Sequence, residues 1–167
     1  MQPLLTRADI ALYRQISKTP HDEKLKEAIL DAQLLDLQPL LGENLFYKIT
    51  SDPENYTELM VGGPYAHDGI GYMNYGIKMV LAYFAHARYT MFSSTIDTPF
   101  SVVEKLNDNS RPVDASVKKA AYQLNREAAI KLWENVQQYL VRTENDDYKK
   151  CRGRTVGGNG FRMTKIR

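Results

Sequence analysis

The 167-residue sequence has one cysteine, Cys151, three histidines and one tryptophan. A single thiol excludes an internal disulfide and any zinc site built from several cysteines. The histidines, His21, His67 and His86, form no H-E-x-x-H pair. Long apolar runs are also missing. The most apolar stretch, Ile77 to Phe92, is broken by Lys78, His86 and Arg88 and falls short of the roughly 20 apolar residues a membrane span needs. The opening MQPLLTRADI lacks a basic region followed by an apolar one, so no targeting segment is expected. These absences predict a soluble protein of a reducing compartment, with no membrane partner and no solenoid repeat.

The glycine clusters lack phosphate-binding patterns. Val61-Gly62-Gly63-Pro64 and Gly69-Ile70-Gly71 match neither a P-loop nor a dinucleotide fingerprint, and Val156-Gly157-Gly158-Asn159-Gly160 precedes no helix. They read as turns and linkers. Cys151 has cationic neighbours in Lys150 and Arg152 but no evident base, and His86 beside Arg88 reads as a packed histidine. No catalytic, cofactor or metal site is therefore expected, and the protein reads as a non-enzyme.

With 43% hydrophobic residues, the chain suits one compact domain. Its net charge of +2 conceals an uneven distribution. Residues 149–167 contain Lys149, Lys150, Arg152, Arg154, Arg162, Lys165 and Arg167 and no acid, a charge of +7. The remainder holds 15 of the 22 basic residues and all 20 acidic ones, or −5. The expected organisation is a domain over 1–148 followed by a flexible basic arm over 149–167.

Thr6 with Asp9 predicts a capped short helix through Ile10, Tyr13 and Ile16. Leu25, Ala28, Ile29, Ala32 and Leu35 form one stripe on a helix over 21–37, which Pro39 stops or kinks. Leu45, Phe46 and Ile49 mark a shorter helix. Residues 50–76, dense in glycine and proline, read as a long loop with one short helix near Tyr56 to Val61. A buried helix is predicted from Tyr72 to Ser93, through Met73, Ile77, Val80, Leu81, Phe84 and Met91. Residues 95–112 read as an extended loop or β-ribbon. The longest helix runs from Asp114 or Ser116 to Thr143, with Val117, Ala121, Leu124, Ala128, Leu132, Val136 and Leu140 on one face. The fold class is all-α, a small bundle of four to five helices.

Two features exceed what a core requires. Five tyrosines, Tyr65, Tyr72, Tyr75, Tyr83 and Tyr89, fall within 25 residues; they suit either contact between chains or packing within the domain with hydroxyls at the rim. The basic arm suits nucleic-acid phosphate or an acidic groove on a protein, the latter engaged also through Val156, Phe161, Met163 and Ile166.

The order of signals resembles the small helical head-tail connector (adaptor or neck-ring) proteins of tailed bacteriophages, particularly phages of Bacteroidota hosts. The resembling segments run from Ala28-Ile29-Leu30-Asp31-Ala32-Gln33 to Leu37-Gln38-Pro39-Leu40-Leu41-Gly42 and Leu45-Phe46-Tyr47-Lys48-Ile49. After the middle helix come Asp97-Thr98-Pro99-Phe100-Ser101-Val102-Val103-Glu104-Lys105 and Ser110-Arg111-Pro112-Val113-Asp114. The long helix follows, with Arg126, Ala129 and Tyr139-Leu140. The resemblance implies a virion structural protein at the neck, assembled in the host cytoplasm. Its subunits would form a ring, twelvefold by similarity, that joins the portal to other neck or tail proteins. Contacts to portal, neighbouring subunit or packaged DNA would then use Pro99, Phe100 and Val102 of the extended loop. On the arm they would use Lys149, Lys150, Arg152, Arg154, Phe161, Arg162, Lys165 and Arg167. The alternative is a small helical nucleic-acid-binding regulator acting through the same arm.

Overall fold

Thr6 opens the first helix, α1 (Arg7–Ala11), with the predicted reciprocal cap: its hydroxyl accepts the Asp9 N–H, and Asp9 Oδ2 accepts the Thr6 N–H at 2.8 Å. In the computed structural model, residues 1–16, 23–97, 101–104 and 113–148 are described, with the backbone alone at 96, 97 and 102–104. The chain is mostly helical, with two short antiparallel ribbons.

Helix α2 (Glu23–Ala32) buries Leu25, Ala28, Ile29 and Ala32, the predicted stripe. It then widens into a π-turn (Gln33–Leu37) and tightens again into α3 (Gln38–Leu41). The extra residue in the π-turn rotates the following side chains about the axis. Leu35, expected in the core, is therefore 59% exposed, while Leu37, Gln33 and Asp36 turn inward. Pro39 does not end the helix. The Gln38 N–H reaches back to the Gln33 carbonyl, and the helical path ends only at Gly42. Buried Gln33 spends its amide on the N-terminal segment, accepting the Leu4 N–H at 2.7 Å and donating to the Gln2 carbonyl at 3.3 Å.

Helix α4 (Glu43–Ser51) buries Leu45, Phe46 and Ile49 as predicted. A 3-10 turn (Pro53–Tyr56) and α5 (Thr57–Val61) follow. The expected long loop then departs from the structure: it is a hairpin of β1 (Gly63–His67) and β2 (Ile70–Asn74), paired from Gly63↔Asn74 to His67↔Ile70. Its turn is Asp68-Gly69, with φ of +52° and +76°, the backbone that a two-residue hairpin with right-handed twist demands. Met73, expected in a buried helix, lies in β2 and is 52% exposed.

Helix α6 (Ile77–Phe92) is apolar nearly all round and forms the centre of the core. It buries Ile77, Val80, Leu81 and Phe84 and packs against α1, α2, α5 and α7 (Ala115–Arg142). Burial of each such side chain contributes about 1.5–3 kcal/mol. Helices α6 and α7 run antiparallel, since Lys118 Nζ donates to Ser94 Oγ at one end and Asn135 meets Tyr75 at the other. The face of α7 that meets the core differs from the predicted one in its first half: Val117 and Leu124 are exposed. The seam runs through Lys118, Tyr122, Asn125, Ala129, Trp133, Val136 and Leu140. Its first half is polar, so the apolar residues nearest in sequence lie one position out of phase with it.

Candidate partner-binding surface

Helix α7 ends at Thr143, and Glu144 takes a positive φ of +49° that reverses the chain. The turn is closed by the Tyr148 N–H donating to the Asn145 carbonyl at 3.1 Å. Asp147 then engages α4 and the 3-10 turn. Its Oδ1 accepts from Lys48 Nζ at 2.5 Å and Asn44 Nδ2 at 3.3 Å, and its Oδ2 accepts the Tyr56 hydroxyl at 3.0 Å. The Lys48 hydrogen bond is the main cause of an Asp147 carboxyl that titrates below the ordinary aspartate range, and reciprocally it raises Lys48. Tyr148 is buried, its ring 6.2 Å from and edge-on to Trp133, and its hydroxyl accepts from Gln137 at 2.7 Å. The basic arm therefore starts from a fixed root on the flank of α7.

The second expected contact element is also rooted. Strands β3 (Thr95–Asp97) and β4 (Val102–Glu104) pair antiparallel, so residues 95–104 include a β-ribbon; Val102 stands opposite Asp97. Lys24 Nζ of α2 donates to the Thr95 carbonyl and ties the ribbon's base to the body. Pro99, Phe100, Lys149, Lys150, Arg152, Arg154, Phe161, Arg162, Lys165 and Arg167 lie outside the described residues, as does Cys151. What the structure supplies is where the ribbon and arm are anchored.

Beside the ribbon, between α2 and the C-terminal end of α6, is a cleft of about 440 Å³. Ala28, Tyr89 and Phe92 form its apolar part, and Glu27, Asp31 and Arg88 add charge. Arg88 is committed inward: its Nε lies 2.7 Å from Asp36 Oδ2, while Arg126 Nη1 stands 3.3 Å from Asp36 Oδ1. Burial is the largest single influence on Arg88 and disfavours its charged guanidinium, but the Asp36 hydrogen bond, the Asp36 charge and the nearby Tyr122 and Asp31 together outweigh it and raise its pKa. The π-turn makes this pair by carrying Asp36 to the interior, a placement with no periodic signal in the sequence.

The tyrosines are resolved in part. Tyr65 packs on Tyr72 at 5.6 Å and Tyr139 at 4.9 Å, with its hydroxyl accepting from Arg142, whose guanidinium lies 3.8 Å over Tyr72. Arg14 lies 3.9 Å over Tyr83. These side chains pack within the domain. His86 is driven below its ordinary pKa by burial, with the Arg14 charge adding to it against a hydrogen bond to the Gln15 backbone. Among the described residues, no three His, Cys, Asp or Glu side chains come together to hold a metal, and no helix is long and apolar enough to cross a membrane.

The chain belongs to a family of unknown function, DUF6712, which matches residues 37–158. That span runs from the π-turn through the hairpin, α6, the ribbon and α7 into the first part of the basic arm. No curated protein and no solved structure matches the chain.

Proposed function

We propose that this protein is a non-enzymatic structural subunit of a phage head-tail connector ring, with portal, neighbouring subunits and other neck or tail proteins as partners and the virion neck as its place of action. The observation that carries the reading is the placement of its two peripheral segments. The ribbon is rooted where α6 passes into α7, and the arm follows the last turn of α7, a helix about 42 Å long at 1.5 Å per residue. A rigid helical bundle with contact segments at both ends of its longest helix suits a subunit that must touch different proteins on two sides. Heterologous contacts of this kind close into rings when the rotation permits. The resemblance to connector proteins supports the same reading.

Native mass measurement of the protein, alone and with a cognate portal, tests the proposal. The expected result is a closed oligomer on the portal; no portal association, together with no ring in particle images of the virion, refutes it. The charge of +7 on the arm favours a second reading, nucleic-acid binding. Duplex binding by all seven cations would show a log–log salt slope of about −6.

A further inference from the structure

We infer that the α2–α6 cleft is a docking site for the distal arm of the same chain, residues 161–167, which lies across it when the subunit is free. The inference is independent of the connector reading. Three observations carry it.

The first is charge. Of the cleft's cations, Lys24 is spent on the Thr95 carbonyl and Arg88 on Asp36. Glu27 and Asp31 make no direct ion pair among the described residues, although the Asp31 charge is felt by Arg88, so the rim offers two carboxylates with no bonded cation beside an apolar patch that includes the 62%-exposed Phe92. The second is the sequence of the arm. Phe161-Arg162-Met163-Thr164-Lys165-Ile166-Arg167 interleaves apolar and basic residues without an acid. In an extended segment Phe161 and Met163 share one side and Arg162 takes the other. Apolar anchors would meet Ala28, Tyr89 and Phe92, and flanking cations would meet Glu27 and Asp31.

The third is the root. The turn after α7 doubles back, so Tyr148 sits on Trp133, upstream of the helix end. Trp133 and Arg126 are two turns apart on one face of α7, and Arg126 reaches Asp36, the partner of the cleft residue Arg88. The path from root to cleft thus follows a single flank. It covers about 22 Å along α7, from the level of Trp133 to that of Lys118, which bonds Ser94 at the cleft. The 13 residues from Tyr148 to Phe161 reach about 43 Å when extended. A tether of this length holds the segment at an effective concentration on the order of millimolar, so weak contacts suffice.

The test is paramagnetic broadening in the full chain, with a nitroxide on Thr164→Cys in a Cys151→Ser background. Docking predicts loss of the amide signals of Ala28, Asp31, Tyr89 and Phe92, unchanged on dilution, with those of the Asp68-Gly69 turn retained. The loss should be relieved by Phe161→Ser with Met163→Ser, which leave the body untouched, and by Glu27→Gln with Asp31→Gln. Raising salt from about 0.1 to 1 M, which shortens the screening length from about 10 to 3 Å, should weaken it. Undiminished cleft signals overturn the inference. Broadening that fades on dilution also overturns it, by assigning the cleft to a second copy's arm.

Discussion

Arg88 Nε lies 2.7 Å from Asp36 Oδ2 across the seam between the π-turn and α6, and the Asp36 side chain is only 3% exposed. Removing one member of a buried pair strands the other, at about 3–5 kcal/mol. Arg88→Met should therefore lower urea-unfolding stability by that amount, and Asp36→Leu added to it should restore most of the loss. Arg126→Met, at a side chain 44% exposed, should cost under about 1 kcal/mol.

Gly62 and Gly76 stand back to back where α5 and α6 meet the hairpin. A Cβ on Gly76 would lie 2.5 Å from the Val61 carbonyl carbon, and its φ is +78°. Gly69 shares the positive φ, +76°, but has open space around it. Gly76→Ala should destabilise by well over the about 1–2 kcal/mol that left-handed backbone alone costs, and Gly69→Ala by about that cost. Thermal denaturation of the two variants side by side tests the difference.

Asn135 holds β2 to α7 with both ends of its amide, donating to the Met73 carbonyl at 3.0 Å and accepting the Tyr75 N–H at 2.9 Å. Asn135→Leu should raise hydrogen exchange at Tyr75 and cost about 0.5–1.5 kcal/mol, the net worth of an ordinary hydrogen bond, since water can reach the groups left behind. Unchanged exchange at Tyr75 would contradict the role assigned to this amide.

His86 and Asp147 give two limbs of acid sensitivity. Burial depresses the His86 pKa, so between its folded value and the unfolded value of about 6.5 the unfolded chain binds the extra proton. Stability should fall as pH drops below about 6.5, and His86→Leu should flatten that limb. Asp147 is also depressed in the folded state, chiefly by the Lys48 hydrogen bond. Its contribution is present above about pH 4 and lost as pH falls through the folded pKa. Asp147→Asn should remove this second limb and speed exchange at Tyr148, as read by hydrogen exchange against pH.

The α1 cap, the core faces of α2 and α4, and the span of α7 were legible because each rests on neighbours within one or two turns. The β1–β2 hairpin had a local signal in Asp68-Gly69, obscured by the glycines and prolines around it. The polar half of the α7 seam had none: Lys118 turns toward Ser94, 24 residues earlier in the chain, and the half-exposed Arg126 beside the seam reaches across to Asp36, 90 residues earlier.

From sequence alone come the charge division into a −5 body and a +7 arm, the mostly helical class, and the resemblance that motivates a connector role. Those follow from composition and short-range periodicity, which a linear chain already contains. Tertiary structure decided which side of α7 meets the core, how the π-turn buries Asp36, and where the arm begins. The reason is distance along the chain: Asp147 is fixed by Asn44, Lys48 and Tyr56, 91 to 103 residues away, and only folding brings such groups within hydrogen-bond reach.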